Sequence, residues 1–327
     1  ENPSLWLVRI NWLILPLSLG DIFDEFLKDS SGNTQVLFAA YLWLIWFFVL
    51  TCTLIRRAWS LTAVRITAPL TLVATALTAT GSTLDWVAFI HSCVIIILVF
   101  LPELGNSLVD GLSYGNERRL LLRCPSALYL GPLPLAWVVT VSGAWLGPIS
   151  LVNGQWLFGS ISIFFGIPIA AAGIRSMHQL SKRWIIFVPN GFVLHDLLST
   201  REPFLIRRAD LSSLGAIKTG DSLDSEGFLD ISQNALGAVL QASIDGEVEV
   251  VPQSRQIAEV KLVKQVFFCP TRPGAALKEA ANRNLPQLAA SSNPRSAFRL
   301  HQASQVRVSH GRSSGQVPFQ KKVRQPN

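Results

Sequence analysis

The sequence predicts an α-helical transmembrane bundle of about six spans, followed by a small all-β cytosolic domain with a C-terminal helix. Half of the 327 residues are apolar and only 15% are charged, against about 25% charged residues in soluble proteins. The apolar residues concentrate in residues 1–175, which indicates membrane spans. After residue 175 short apolar runs alternate with turn signals, which indicates strands. This composition excludes a disordered chain, a disulfide-dense secreted scaffold and a simple cytosolic enzyme.

Five apolar segments have the length of a membrane span, and the only charged residue in them is Arg65, near the start of the second segment. A helix needs about 20 apolar residues to cross a hydrocarbon core of about 30 Å. The predicted spans are 35–55, 64–84, 86–102, 132–150 and 156–174. The last two come from the uncharged stretch 124–174, with a turn at 147–155 where glycine and proline interrupt the apolar pattern.

Residues 4–20 form a shorter apolar segment that contains Arg9. Three interpretations remain open: a sixth span in which Arg9 reaches the interface, an interfacial helix, and a signal peptide. The first residue is glutamate, which leaves open whether the natural N-terminus lies upstream. The predicted transmembrane domain covers residues 1–175.

Basic residues orient the spans, because cytoplasmic loops are enriched in lysine and arginine. With six spans, the inner segments carry Arg9, Arg56, Arg57, Arg65, Arg118, Arg119, Arg123, Arg175, Lys182 and Arg183. The outer loops carry only Lys28, and the first of them, 21–33, is acidic. The prediction is a multi-pass plasma-membrane protein with its C-terminal domain in the cytoplasm.

Residues 180–285 are predicted to form seven short antiparallel strands and one helix. The predicted strands are 184–188, 192–195, 203–208, 228–232, 237–244, 247–251 and 263–268. The pairs Asn190-Gly191 and Asp245-Gly246 predict hairpin turns, since such turns need positive φ. A helix over 272–284 follows Thr271 as N-cap, and Pro286 ends it.

Residues 286–327 are predicted to be a disordered basic tail. Residues 283–327 contain eight basic and no acidic residues, together with serine, glutamine and proline that cannot bury enough surface to order the segment. Such a tail could bind anionic lipid head groups of the inner leaflet. Nucleic acid is not favoured, because the spans already hold the tail beside lipid.

Four stretches carry a family resemblance: DGLSYGNERR (110–119), LGPLPLAW (130–137), RWIIFVPNGFVLHD (183–196) and FCPTRPGAALKEAANR (268–283). In them the chain resembles a group of uncharacterised actinobacterial integral membrane proteins. The order of strands and a closing helix resembles the pleckstrin-homology-like domains of bacterial membrane proteins. The resemblance implies the domain plan and no particular chemistry.

The inner loop 103–131 holds the best candidates for chemistry. Glu103, Asp110 and Glu117 are the candidate catalytic carboxylates, and Glu103, Asn106 and Asp110 would share one face if a helix continues past Pro102. Arg118, Arg119 and Arg123 are candidate binding residues. Carboxylates beside arginines could hold a metal ion or a phosphate head group. The alternative is a solvated loop whose arginines set topology.

Other candidates are isolated. His91 is a polar residue inside the fourth span, and Arg207 and Arg208 could face an anionic lipid or a partner. His195-Asp196 is interpreted as an exposed strand end. The four cysteines form no C-x-x-C pair, so no metal or cofactor is predicted.

Three functions remain open. The first is a membrane-proximal cytosolic domain that binds a protein or lipid partner, besides the lipid bilayer itself. The second is a transporter or channel for a small solute or lipid, because prolines would interrupt several helices. The third is a lipid-modifying enzyme that uses Glu103, Asp110 and Glu117.

Overall fold

A computed structural model describes residues 3–28, 31–78, 81–217, 227–253 and 260–288. Most of the predicted tail therefore lies outside the described residues. The helices are α1 (Pro3–Leu27), α2 (Gly32–Leu54), α3 (Ala58–Thr78), α4 (Thr83–Phe100), α5 (Pro102–Asp110), α6 (Ser126–Tyr129), α7 (Pro132–Val152), α8 (Trp156–Leu180) and α9 (Pro273–Asn282). The strands are β1 (Arg118–Leu121), β2 (Trp184–Val188), β3 (Gly191–His195), β4 (Phe204–Arg207), β5 (Leu211–Ala216), β6 (Phe228–Asp230), β7 (Leu240–Val250) and β8 (Lys261–Phe268).

Six of the helices are long and apolar enough to cross a membrane: α1, α2, α3, α4, α7 and α8. They coincide with the six predicted segments, although several extend beyond the predicted bounds. α3 begins at Ala58, before the predicted bound at residue 64, so Arg65 lies well inside the helix. α4 ends at Phe100, and Pro102 starts the separate helix α5, because the first turn of a helix does not need the backbone N–H that proline lacks.

The first helix is an integral part of the bundle. Six of its buried apolar residues recur every three or four positions, so they form one stripe facing α2 and α4. They are Leu5, Val8, Trp12, Leu15, Leu19 and Ile22. The indoles of Trp12 and Trp46 each donate to the backbone carbonyl of the other residue, at 3.0 and 2.8 Å. Arg9 donates to the Thr53 carbonyl at the end of α2.

Helices α7 and α8 form a close hairpin. A Cβ atom at Gly143 would lie 2.7 Å from the carbonyl oxygen of Gly166, so the two backbones approach as only glycine permits. The hairpin joins the other helices through a few contacts. Trp137 donates to the Ile66 carbonyl at 2.9 Å, and Thr62 donates to Ser181 at 3.0 Å.

The C-terminal part contains two four-stranded sheets, ordered β1-β2-β3-β4 and β5-β7-β8-β6. One shared core lies between them, and it includes Phe187, Phe192 and Phe268, with Ala276 and Ala280 of α9 against it. The predicted Asn190-Gly191 turn joins β2 and β3. Pairing is antiparallel except between β6 and β8, which are parallel, so the prediction of a wholly antiparallel domain is wrong.

Further details differ from the sequence prediction. The predicted strands 237–244 and 247–251 are the single strand β7, because Gly246, at φ +105°, lies where the register with β8 shifts and not in a hairpin turn. β5 was not predicted. α9 has no side-chain N-cap, so Thr271 does not cap it. Residues 286–288, predicted as the start of the tail, pair with β5 through Leu214.

The strand β1 comes from within the predicted inner loop 103–131. It pairs with β2 in register from Arg118 opposite Phe187 to Leu121 opposite Trp184. Helix α5 precedes it and packs against both α3 and β1: a Cβ atom at Gly105 would lie 2.6 Å from Leu121 Cδ1 and 3.1 Å from Arg65 Nη2. The helical part and the sheets are therefore interlocked rather than joined in series.

Candidate functional site

The polar residues of α5 lie against the sheet domain. The predicted spacing of Glu103, Asn106 and Asp110 does fall on a helix. Glu103 forms an ion pair with Arg272, just before α9, at 3.4 Å. The Asn106 Oδ1 atom accepts from the backbone N–H of Leu121 at 2.8 Å. This polar face of α5 therefore holds the helix to the sheets.

Asp110 organises the turn between α5 and β1. Its carboxylate accepts from the Ser113 hydroxyl at 3.0 Å, from Arg118 Nη1 at 2.7 Å and from the Arg119 backbone N–H at 2.9 Å. Three donors satisfy most of the capacity of one carboxylate. This geometry suits a residue that fixes a loop better than one that transfers protons.

Glu117 is also engaged within its own loop. It accepts from the Tyr114 backbone N–H at 3.4 Å and from Arg119 Nη2 at 3.3 Å. Each of the three predicted catalytic carboxylates is thus paired with a different arginine. Among the described residues, no group of three or more histidine, cysteine, aspartate or glutamate side chains is placed to hold a metal ion.

A cleft of about 800 Å³ opens where α5, β1 and α9 meet. Six basic and three acidic side chains line it, so its lining carries a net positive charge. The basic residues are Arg56, Arg118, Arg119, Arg272, Lys278 and Arg283, and the acidic residues are Asp110, Glu117 and Glu279. The predicted carboxylates Asp110 and Glu117 and the predicted arginines Arg118 and Arg119 are therefore together in one site.

Two cations of the cleft have no acidic partner in the part of the chain that the structure describes. Arg118, Arg119, Arg272 and Arg283 each form an ion pair, whereas Arg56 and Lys278 form none. Arg56, in the turn between α2 and α3, packs directly on Gly111, where any Cβ atom would clash with it. Lys278 faces the cleft from α9.

Arg119 links the cleft to the start of the sheet domain. Its guanidinium lies over the Trp184 ring, 5.7 Å from the ring centroid. The Trp184 ring stacks on His195 at 5.0 Å, and His195 Nδ1 lies 2.7 Å from the Lys182 carbonyl oxygen. The histidine is thus held by packing and a backbone contact, with no nucleophile among these contacts.

A buried ion pair lies where α8 enters β2, and sequence reasoning missed it. Arg183 donates to Asp196 through Nε and Nη2, both at 2.8 Å, and also to the carbonyls of Arg123 and Ile231. The two side chains are only 1% and 0% exposed. The interpretation of His195-Asp196 as an exposed strand end was therefore wrong for Asp196. No local sequence pattern indicates this ion pair, because the carbonyl groups that complete its surroundings belong to the distant residues Arg123 and Ile231.

The remaining candidates are separate from the cleft. His91 contacts α1, with Nδ1 2.6 Å from the Ser18 hydroxyl and Nε2 3.1 Å from the Asn11 carbonyl oxygen. Arg207 and Arg208 are exposed at the end of the edge strand β4. Arg123 lies between β1 and α6 and does not line the cleft.

Comparisons with known proteins found no relative of this chain. No protein-family model, curated protein or solved structure matches this chain. Function is therefore inferred from the residues of this chain alone.

Proposed function

We propose that this chain is a multi-pass plasma-membrane protein that binds an anionic lipid head group in the cleft between its helices and its cytosolic sheet domain. The observation that carries the proposal is the pair Arg56 and Lys278, which face one cleft without an acidic partner among the described residues. Phosphate-bearing head groups are the anions that a cytoplasmic membrane surface offers in abundance.

The outer surface of the long helices supports membrane insertion. Large apolar side chains such as Leu17, Leu157 and Phe164 are more than 70% exposed. A soluble protein rarely leaves such large contiguous apolar surfaces in water. Lipid would cover them, and by the positive-inside rule the basic residues near Arg56 and Arg183 support a cytoplasmic position of the sheet domain.

The junction keeps the cleft close to the proposed membrane surface. α8 passes into β2 through Arg183, whose buried ion pair fixes the direction of the chain. At the same end of the bundle Thr62 of α3 bonds Ser181, directly after α8. A sheet domain attached in this way has no flexible linker, so its cleft would remain within reach of lipid head groups.

The net positive charge of the cleft lining suits a phosphate group. Guanidinium and ammonium groups form short charge-assisted hydrogen bonds to phosphate oxygens. Ion pairs hold four of the six cations in place, so these side chains are already positioned to donate to a phosphate. The two cations without an acidic partner among the described residues supply the net attraction for an anion. An acidic protein segment would meet the same charge but would need an extended groove.

The pleckstrin-homology-like nature of the sheet domain remains part of the proposal. Two packed sheets followed by α9 support it. The parallel pairing of β6 with β8, and the recruitment of β1 from between α5 and α6, are departures from a simple series of antiparallel strands.

Fewer observations support the other two functions, a lipid-modifying enzyme and a transporter. A lipid-modifying enzyme would use Glu103, Asp110 and Glu117, yet all three are engaged by arginines. A transporter was favoured by prolines that would interrupt helices. However, α3, α7 and α8 continue through Pro69, Pro148 and Pro168.

The test is hydrogen–deuterium exchange of the full chain in nanodiscs of phosphatidylcholine, with and without phosphatidylglycerol. We expect the anionic lipid to protect residues 103–121 and 272–283, and the double variant Arg56→Gln/Lys278→Gln to lose that protection. The control Arg207→Gln/Arg208→Gln removes the same charge from an exposed edge and should retain it. Equal protection in neutral nanodiscs, or equal loss in the control, would contradict the proposal. Protection by an acidic protein fraction alone would favour a protein partner instead.

A further inference from the structure

Two more arginines at the junction have no acidic partner among the described residues, and neither lines the cleft. They are Arg65 of α3 and Arg123, which follows β1. The Nε atom of each is buried and has no hydrogen-bond acceptor. Removing a guanidinium from water without a compensating anion is costly, so this arrangement calls for a negative group.

Arg65 lies about two turns inside α3 and beside the end of α4. Its guanidinium is 5.6 Å from the ring centroid of Phe100, the last residue of α4. It also packs against Gly105 of α5, where a Cβ atom would lie 3.1 Å from Nη2. If α4 spans the bilayer, this is the depth of the lipid phosphates.

Arg123 is held by the sheet domain. Its backbone N–H donates to the Cys269 carbonyl at 2.7 Å, and its Nη2 atom is 3.5 Å from the Thr271 carbonyl oxygen. A Cβ atom at Gly237 would lie 2.7 Å from Arg123 Nε, so only glycine leaves room for this side chain. The position of Arg123 is therefore set by its neighbours and does not depend on a bound group.

Tyr129 of α6 interacts electrostatically with both arginines. Burial raises the pKa of Tyr129, and the charges of Arg65 and Arg123 oppose that rise. Burial also raises the pKa of Cys124, which Arg183 and Arg65 oppose. Half of the Tyr129 surface is nevertheless exposed. A tyrosine that is buried on one side and open on the other is typical of membrane interfaces.

We infer that Arg65, Arg123 and Tyr129 form a second site, which binds the phosphate group of a bilayer phospholipid. The guanidinium groups would donate to the phosphate oxygens, and Phe100 and Tyr129 would contact the upper part of the acyl chains. The inference shares the membrane placement of the helices with the proposed function, but it does not depend on the cleft. The lipid would join the helical part to the sheet domain, since Arg65 belongs to one and Arg123 is held by the other.

The test is native mass spectrometry of the full chain in detergent, titrated with phosphatidylglycerol. Loss of one charged donor should weaken retention of the lipid by roughly tenfold in Arg65→Gln and in Arg123→Gln. Arg65→Lys keeps the charge and should lose less. Arg57→Gln removes an exposed arginine three residues after the end of α2 and should leave retention unchanged. Without lipid, the melting temperature of Arg65→Gln should be no lower than that of the unsubstituted chain, because the substitution removes a buried charge that has no acidic partner among the described residues.

Two further measurements separate the possible results. Glycerol phosphate provides the same phosphate without acyl chains, and binding as tight as that of phosphatidylglycerol would overturn the lipid assignment. The cleft variant Arg56→Gln/Lys278→Gln should still retain the lipid in this site. If that variant lost all bound lipid while Arg65→Gln and Arg123→Gln kept it, the second site would be refuted and the cleft supported.

Discussion

Single residues at the junction act mainly through charge pairing in places that water does not reach. Arg183 and Asp196 show this most clearly, since both are almost fully buried and joined by two hydrogen bonds of 2.8 Å. Asp196 also accepts from the Ser199 hydroxyl at 2.7 Å. Removing either charge would leave the other uncompensated inside the protein.

We expect Asp196→Asn to lower the free energy of unfolding by about 3–5 kcal/mol, which is the usual cost of breaking a buried ion pair. Denaturant unfolding of the full chain in detergent, followed by the fluorescence of its tryptophans, would measure the change. Glu202→Gln alters an exposed carboxylate and should stay within about 0.5 kcal/mol. A loss below about 1 kcal/mol for Asp196→Asn would show that the pair contributes little.

Among the elements, β1 decides how the two parts of the chain are joined. It lies between α5 and α6, far in sequence from β2, and Leu120 in the strand and Leu122 directly after it belong to the sheet core. Its sequence, Arg-Arg-Leu-Leu, is too short and too charged to predict a strand. The hairpin of β2 and β3 could be predicted because Asn190-Gly191 is a local turn signal. β1 could not, because only its distant partner makes it a strand.

A fragment of residues 180–288 should therefore fail to form a monomeric folded domain, because the edge of β2 and the core beneath β1 would be exposed. Fusing residues 116–123 to the N-terminus of the fragment through a glycine-serine linker should restore folding. The dispersion of amide proton signals and the elution volume on gel filtration would report the difference. A well-dispersed, monomeric spectrum from the fragment without β1 would contradict this view of the junction.

At the scale of the whole molecule, the sequence predicts the elements better than their assembly. Apolar length located five of the six long helices, whereas residues 4–20 left three interpretations open, and the turn signal located the first hairpin. The candidate residues Asp110, Glu117, Arg118 and Arg119 were found because charges are rare in the first half of the chain. Lys278 was not singled out, because an exposed lysine on a short helix has no distinguishing local pattern. The cleft exists only once α5 and α9 meet.

The most direct test of the account is the side of the membrane on which each part lies. Single cysteines would be introduced as Gln155→Cys, between α7 and α8, and as Arg208→Cys, after β4, with the four native cysteines replaced by alanine. A membrane-impermeant maleimide should label Gln155→Cys in intact cells and Arg208→Cys only after lysis. Labelling of Arg208→Cys in intact cells would contradict the cytoplasmic placement of the sheet domain, and with it the access of the cleft to inner-leaflet lipids.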